Sequence, residues 1–234
     1  MMASILKPKI HVMPLSDSLG ASVTGIDISR PLDPETAAEI TQAWHDYLVL
    51  IFPDQDLTQE QQLTFAQHFG ETGTRSQRAE DRPEGADYNA AIMLVTNIKD
   101  DKGSYIGSLP DGEMYFHHDR CYMPKPDKGT LLYAIDIPLT GGNTRFSNMY
   151  RAYEKIPLEI KKQLKGRTAL QVYNYGLTEK VDIDGDLTGI HNRSQPVFVS
   201  HPETGRTALY VNRLITARID GISRDESDGI LEEL

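Results

Sequence analysis

The sequence predicts a mainly β fold, a barrel or jelly roll, with helices packed outside it. Short segments with the alternating apolar pattern of strands recur along most of the chain, and turn residues separate them. Segments with the 3.6-residue period of helices come early and late in the chain. Many short strands with few helices are typical of an α+β arrangement built on one β core.

The N-terminal half predicts two helices among strands. Its expected elements are strands at 9–13 and 21–28, a helix at 35–46, a strand at 47–52, a helix at 59–69 and a strand at 92–98. Asp33 followed by proline favours the start of the first helix, because aspartate caps the free N–H groups and proline fits the first turn. Thr58 and Gln61 predict a capping box for the second helix. Residues 71–91 and 99–114 are polar and contain several glycines, which indicates loops.

The C-terminal half predicts most of the β core. Its expected elements are strands at 115–120, 129–136 and 143–147, helices at 149–153 and 158–164, strands at 167–173, 195–201 and 207–211, and a helix at 223–234. Ser223 is a suitable N-cap for the last helix, and Ile230 with Leu231 gives that helix an apolar face.

Composition indicates a globular protein and argues against several function classes. Of the 234 residues, 39% are hydrophobic and 25% are charged, and no run approaches the ~18 apolar residues of a membrane helix. The start of the chain lacks the pattern of a signal peptide, and one cysteine, Cys121, allows no intramolecular disulfide, so we expect a cytoplasmic protein. The net charge of -10 argues against nucleic acids and anionic membranes as partners.

The segment Tyr115-Phe116-His117-His118-Asp119 is the sharpest candidate for chemistry. If it is a strand, His117 and Asp119 project to one face, and His118 projects to the other and is structural. An imidazole and a carboxylate on one face can bind one divalent metal, and two histidines with one carboxylate are typical of non-haem Fe(II) oxygenases. The plainer alternative is a histidine paired with a neighbouring carboxylate, and the motif alone leaves both readings open.

Short blocks along nearly the whole chain carry a family pattern. They are residues 19–27, 30–32, 44–45, 49–52, 55–58, 69–71, 116–119, 141–146, 201–206 and 209–212. In this order they resemble the TauD/TfdA family of Fe(II)- and 2-oxoglutarate-dependent dioxygenases. One mild departure is Phe116, where the family usually has tryptophan.

The resemblance implies a double-stranded β-helix, or jelly roll, as a single domain over residues 1–234. His117 and Asp119 match the two sequential iron ligands of the family, and Thr144 matches the threonine that hydrogen-bonds the distal carboxylate of 2-oxoglutarate. The implied reaction uses Fe(II), 2-oxoglutarate and O2 to hydroxylate a small organic acid, and it releases succinate and CO2. We also expect a homo-oligomer.

Substrate contacts are predicted at two positions. A family member that acts on taurine uses a histidine after the block at 69–71, and this chain has no histidine there, so taurine is not the expected substrate. Arg75, in the same loop, is a candidate to meet an anionic substrate, with a solvated surface arginine as the alternative. Tyr105, in the loop before the metal block, is a candidate to line the pocket.

The resemblance also implies that part of the site is missing. In the family, the second iron histidine and the arginine that pairs with 2-oxoglutarate lie beyond the helix that residues 223–234 match. The sequence is therefore expected to lack these two residues together with the C-terminal strands, and the chain as written to be inactive. The resemblance places none of the nearby alternatives, His191, Arg213 and Arg218, in the site.

Two other functions stay open at the level of sequence. A non-catalytic jelly-roll binding module that has lost part of its metal site would need neither metal nor 2-oxoglutarate. A cupin-like isomerase, or another metal enzyme that is not an oxygenase, would usually place more histidines on its metal, and the sequence shows no further histidine cluster.

Overall fold

The computed structural model describes residues 10–75, 82–109, 114–173 and 181–234. The chain divides into two compact units, Met1–Glu113 and Met114–Leu234. Each unit has its own sheet and its own apolar core. The family resemblance implies a single domain over residues 1–234, and this remains a prediction.

The N-terminal unit combines a small sheet with two helices. Its elements are β1 (His11–Pro14), β2 (Ala21–Thr24), α1 (Pro34–Tyr47), β3 (Leu50–Ile51), α2 (Gln59–Gln67) and a 3₁₀ turn (Gly85–Asp87). β2 lies in the middle of the sheet, antiparallel to β1 and parallel to β3. The core under this sheet is formed by Ile10, Val23, Ile28, Ile40 and Phe65.

Both helices of this unit begin where the sequence predicts. The Asp33 carboxylate accepts hydrogen bonds from the backbone N–H groups of Glu35 and Thr36, each at 3.1 Å. Thr58 and Gln61 form the reciprocal capping box, in which each side chain accepts from the backbone N–H of the other residue. These caps satisfy N–H groups that have no partner inside the helix.

The C-terminal unit combines two sheets with three helices. Its elements are α3 (Met149–Lys155), α4 (Leu158–Leu164), β4 (Thr168–Val172), β5 (Asn192–Pro196), β6 (Phe198–Ser200), β7 (Thr207–Leu209), β8 (Thr216–Ile219) and α5 (Arg224–Glu233). β4 is the central strand between β5 and β8, and both neighbours are antiparallel to it. β6 and β7 form a separate antiparallel pair. Small sheets with flanking helices agree with the predicted α+β class.

Several predicted strands are wrong. Residues 115–120, 129–136 and 143–147 form turns and irregular chain, and residues 92–98 contribute one isolated bridge, between Val95 and Ser108. An alternating pattern produces a strand only when another strand pairs with it, and within the described residues none pairs with these segments. Their apolar side chains are accordingly exposed; Leu132, for example, has a relative exposure of 68%.

The sequence also misses β8. Its residues, Thr216–Ile219, alternate polar and apolar over only four positions, which is too short a pattern to indicate a strand, and three of the four are buried. Within the described parts of the chain, no helix is long and apolar enough to cross a membrane.

Candidate metal centre

His117 and Asp119 lie side by side in the C-terminal unit. The distance from His117 Nε2 to Asp119 Oδ1 is 3.2 Å. The segment that carries them is irregular and does not form the predicted strand. The structure therefore brings the pair together by a different route from the alternation of a strand.

Backbone and side-chain contacts orient both groups. His117 Nδ1 lies 2.9 Å from the carbonyl oxygen of Tyr115, so this nitrogen donates and Nε2 is left to face the carboxylate. The hydroxyl of Thr130 donates to Asp119 Oδ2 at 2.7 Å, which leaves Oδ1 directed at the histidine. Sequence reasoning missed Thr130; the available signal was a hydroxyl residue at the start of an otherwise apolar stretch.

The two groups also shift each other's protonation. The hydrogen bond with Asp119 raises the pKa of His117 above its ordinary value, although partial burial opposes the shift. The hydrogen bond with His117 lowers the pKa of Asp119, and the bond from Thr130 lowers it further. Without a metal, both shifts favour an ion pair between protonated His117 and ionised Asp119.

The arrangement fits a divalent metal. Bonds of 2.0–2.2 Å at a right angle would place two donor atoms about 3 Å apart, close to the distance between Nε2 and Oδ1. The Nδ1 contact to a backbone carbonyl is the usual way to orient a metal-binding histidine. Within the described ranges, no cluster of three or more His, Cys, Asp or Glu side chains could hold a metal ion, so the described part of the site supplies two ligands.

His118, between these two residues in the chain, packs against an aromatic ring. Its ring centroid lies 4.5 Å from that of Tyr210, and its Nδ1 is buried. Burial lowers the pKa of His118 to about 4, so the imidazole is neutral at physiological pH. This environment suits the structural role predicted for His118.

Thr144 lies in the same unit, in an irregular stretch after Gly141 and Gly142. Both glycines have positive φ, 81° and 64°, which residues with side chains rarely adopt. Thr144 itself is exposed. The 2-oxoglutarate contact of this residue remains a prediction.

Arg75 and Tyr105 lie in the other unit, each beside a charged partner. Arg75 forms an ion pair with Glu84, whose side chain is fully buried, and Arg75 Nη2 lies 3.5 Å from the hydroxyl oxygen of Ser108. Partial burial lowers the pKa of Arg75. The ammonium group of Lys99 lies 4.6 Å from the centroid of the Tyr105 ring. Arg75 is thus not the solvated surface arginine of the alternative reading, and its charge is already balanced by Glu84.

The alternatives for completing the site have other surroundings. His191 stacks on Tyr122 with ring centroids 6.2 Å apart. Arg213 is exposed, and Arg218 pairs with Asp184 and Asp220. None of these described contacts places a third ligand beside His117 and Asp119.

Comparison with known proteins finds relatives that match nearly the whole chain. Residues 11–234 match the model of the "Taurine catabolism dioxygenase TauD, TfdA family". The chain is 31% identical to the (S)-phenoxypropionate/alpha-ketoglutarate-dioxygenase of Sphingobium herbicidovorans over 239 residues, which cover 98% of this chain and 79% of that protein.

Solved structures show the same relationship. A taurine dioxygenase from Burkholderia xenovorans superposes with a TM-score of 0.70 and 26% identity, covering 97% of this chain and 71% of that one. AAD-2 in complex with Mn(II) and N-oxalylglycine gives a TM-score of 0.67 and 25% identity, covering 96% of this chain and 77% of that one.

These relatives are oxidoreductases, and alpha-ketoglutarate-dependent dioxygenases use Fe(II) and 2-oxoglutarate. N-oxalylglycine is an analogue of 2-oxoglutarate, so the AAD-2 complex holds a metal ion together with a mimic of the co-substrate. The match over residues 11–234 confirms the resemblance carried by the sequence blocks. The chain belongs to the TauD/TfdA family of dioxygenases.

Proposed function

We propose that this protein is an Fe(II)- and 2-oxoglutarate-dependent dioxygenase that hydroxylates a small organic anion and releases succinate and CO2. The observation that carries the proposal is the placement of His117 Nε2 and Asp119 Oδ1 3.2 Å apart in a chain of this family. A non-catalytic binding module is not favoured, because it would have no use for such a pair.

The residues of the site would do separate work. His117 and Asp119 would hold the iron, which would activate O2 for hydroxylation, while oxidation of 2-oxoglutarate to succinate and CO2 would supply two of the four electrons that O2 accepts. The Tyr115 carbonyl keeps the correct nitrogen of His117 available, and the Thr130 hydroxyl keeps the carboxylate of Asp119 turned toward the site. Thr144 would donate its hydroxyl to the distal carboxylate of 2-oxoglutarate, as its family counterpart does.

The proposed fold and setting follow from the family. We place the chain in a double-stranded β-helix fold of one domain, within a cytoplasmic homo-oligomer that contacts neither nucleic acid nor membrane. The superposition on taurine dioxygenase supports the fold. The net charge of -10 supports the exclusion of polyanionic partners.

The proposed substrate is a small carboxylic acid with an apolar body. The relative from Sphingobium herbicidovorans is named for phenoxypropionate, an aromatic carboxylate. Tyr115 and Phe116, next to the metal pair, are exposed aromatic residues that suit an apolar body. Arg75 and Tyr105 are proposed to contact the substrate, with Glu84 fixing the direction of the guanidinium.

The test is turnover of 2-oxoglutarate with a panel of aryloxyalkanoic and aliphatic acids. Succinate is measured in the presence of Fe(II), with the 234-residue chain and with the product of its full reading frame, which also tests the predicted inactivity of the chain as written. His117→Ala should abolish succinate formation, and His118→Ala should spare most of it. Turnover that survives His117→Ala, or that needs no Fe(II), would overturn the proposal.

A further inference from the structure

The turn that follows Asp119 directly, residues 120–123, has an unusual backbone. Arg120 has a φ of 51°, in the left-handed region that residues with side chains adopt only at a cost. Within the turn, the backbone N–H of Met123 donates to the Arg120 carbonyl at 2.9 Å. Because the surrounding segment is irregular, the conformation of this turn depends on contacts from elsewhere in the unit.

One such contact comes from Gln195 on β5. Its Nε2 donates to the carbonyl of Cys121 at 3.1 Å and to the carbonyl of Met123 at 2.9 Å. A primary amide has two N–H groups, and this arrangement uses both of them on one turn. The main chain of Gln195 is itself fixed, because it pairs with Ala169 on the central strand β4.

A second contact fastens the middle of the same turn. Cys121 is fully buried, and its Sγ lies 3.7 Å from Oε1 of Gln171, a fully buried glutamine on β4. The hydroxyl of Thr216 on β8 donates to the same Oε1 at 2.8 Å. The turn is therefore attached directly to the adjacent strands β5 and β4, and Thr216 on β8 holds the side chain of Gln171 in place.

We propose that Gln195 is a positioning residue for the metal pair, acting through the carbonyls of Cys121 and Met123. The inference rests on the proposed function and assigns a role to a residue that touches neither His117 nor Asp119. The attachment point at Cys121 is two residues from Asp119, so a loose turn would let the carboxylate move away from His117 Nε2. A ligand pair that must be ordered at the moment of binding binds metal more weakly than a pair already held in place.

The experiment compares Gln195→Met with the wild-type chain. Methionine has nearly the length and volume of glutamine but donates no hydrogen bond. The affinity for Mn(II) is measured by titration followed by electron paramagnetic resonance, and hydrogen exchange is measured at the amides of residues 119–123 without metal. We expect the affinity to fall by about 10- to 100-fold and exchange in the turn to become faster.

The matched control is Gln163→Met. Gln163 on α4 also donates through Nε2, to Glu226 on α5, but it has no contact with the turn. This variant should bind Mn(II) as the wild type does. Gln195→Asn, which keeps the amide but withdraws it by one methylene, is the second test variant and should also weaken binding.

The outcomes separate this inference from the proposed function. Mn(II) affinity within about twofold of wild type in both Gln195 variants, with binding lost in His117→Ala, would overturn the positioning role alone. Binding that is unchanged in His117→Ala as well would overturn the proposed function together with it. Equal loss in Gln195→Met and Gln163→Met would mean that the effect is general destabilisation, and would also overturn the inference.

Discussion

At the scale of single residues, the metal pair depends on neighbours that the motif does not contain. The Tyr115 carbonyl selects the free nitrogen of His117, and the Thr130 hydroxyl occupies one oxygen of Asp119. Each contact fixes the orientation of one of these side chains before a metal binds. The proposed ligand pair is therefore oriented by a backbone carbonyl and by a threonine eleven positions after Asp119 in the chain.

Removal of the Thr130 hydroxyl tests this preparation. Thr130→Val keeps the shape of the side chain but leaves Oδ2 of Asp119 without this donor, so the carboxylate can rotate and its pKa should rise. We expect Mn(II) affinity to fall by about tenfold, measured by the same titration. Thr130→Ser, which keeps the hydroxyl, should stay close to wild type, and equal losses in both variants would contradict the explanation.

The thiol of Cys121 should be inert in the folded protein. It is fully buried, and burial raises its pKa to about 11, so the thiolate needed for reaction is scarce at neutral pH. We expect no reaction with a thiol reagent under native conditions and full reaction after unfolding in guanidinium, followed by absorbance. Rapid modification of the native chain at pH 7 would show that the turn opens.

The sequence could predict that His117 and Asp119 lie together, but not which residues hold them. His117 and Asp119 lie 3.2 Å apart in the structure, as the His-x-Asp spacing predicted. The strand that the sequence predicted around them does not form. Thr130 and Gln195 could not be found in this way, because their contacts join residues far apart in the chain and leave no local pattern.

At the scale of elements, the features that depend on local chemistry were predictable. The caps at Asp33, Thr58 and Ser223 act on N–H groups two or three residues away, and all three occur in the structure. Strand formation depends on a partner instead, and the apolar stretch 129–136 has none among the described residues. β8 was missed because its alternation covers only four residues, and it forms a strand through its pairing with β4.

The N-terminal cap of α1 should make a measurable contribution to the free energy of unfolding. Asp33→Ala removes the acceptor for the N–H groups of Glu35 and Thr36, and the free energy of unfolding should fall by about 1 kcal/mol. Urea denaturation measures this change. Glu39→Ala, at an exposed position in the middle of the same helix, is the control and should change stability by much less. Equal effects would mean that the cap contributes little.

At the scale of the whole molecule, the charge of the chain should assist the metal. The net charge of -10 creates a negative field that concentrates divalent cations near the surface, and salt screens this field over about 10 Å at 0.1 M. The apparent dissociation constant for Mn(II) should therefore rise severalfold between low salt and 0.3 M KCl. Titrations at several KCl concentrations measure it, and a flat response would show that only the local pair attracts the ion.

The long reach of Gln195 has a consequence for how the protein acquires its metal. The carbonyls that it meets lie 74 and 72 positions earlier in the chain. A growing polypeptide that has just exposed His117 and Asp119 has not yet made β5, so these two residues emerge before the strand that holds the turn after them. If Gln195 positions the pair as proposed, full affinity for iron is expected only after the sheet is assembled. We would then expect a folded, metal-free form of the protein to accumulate when iron is scarce.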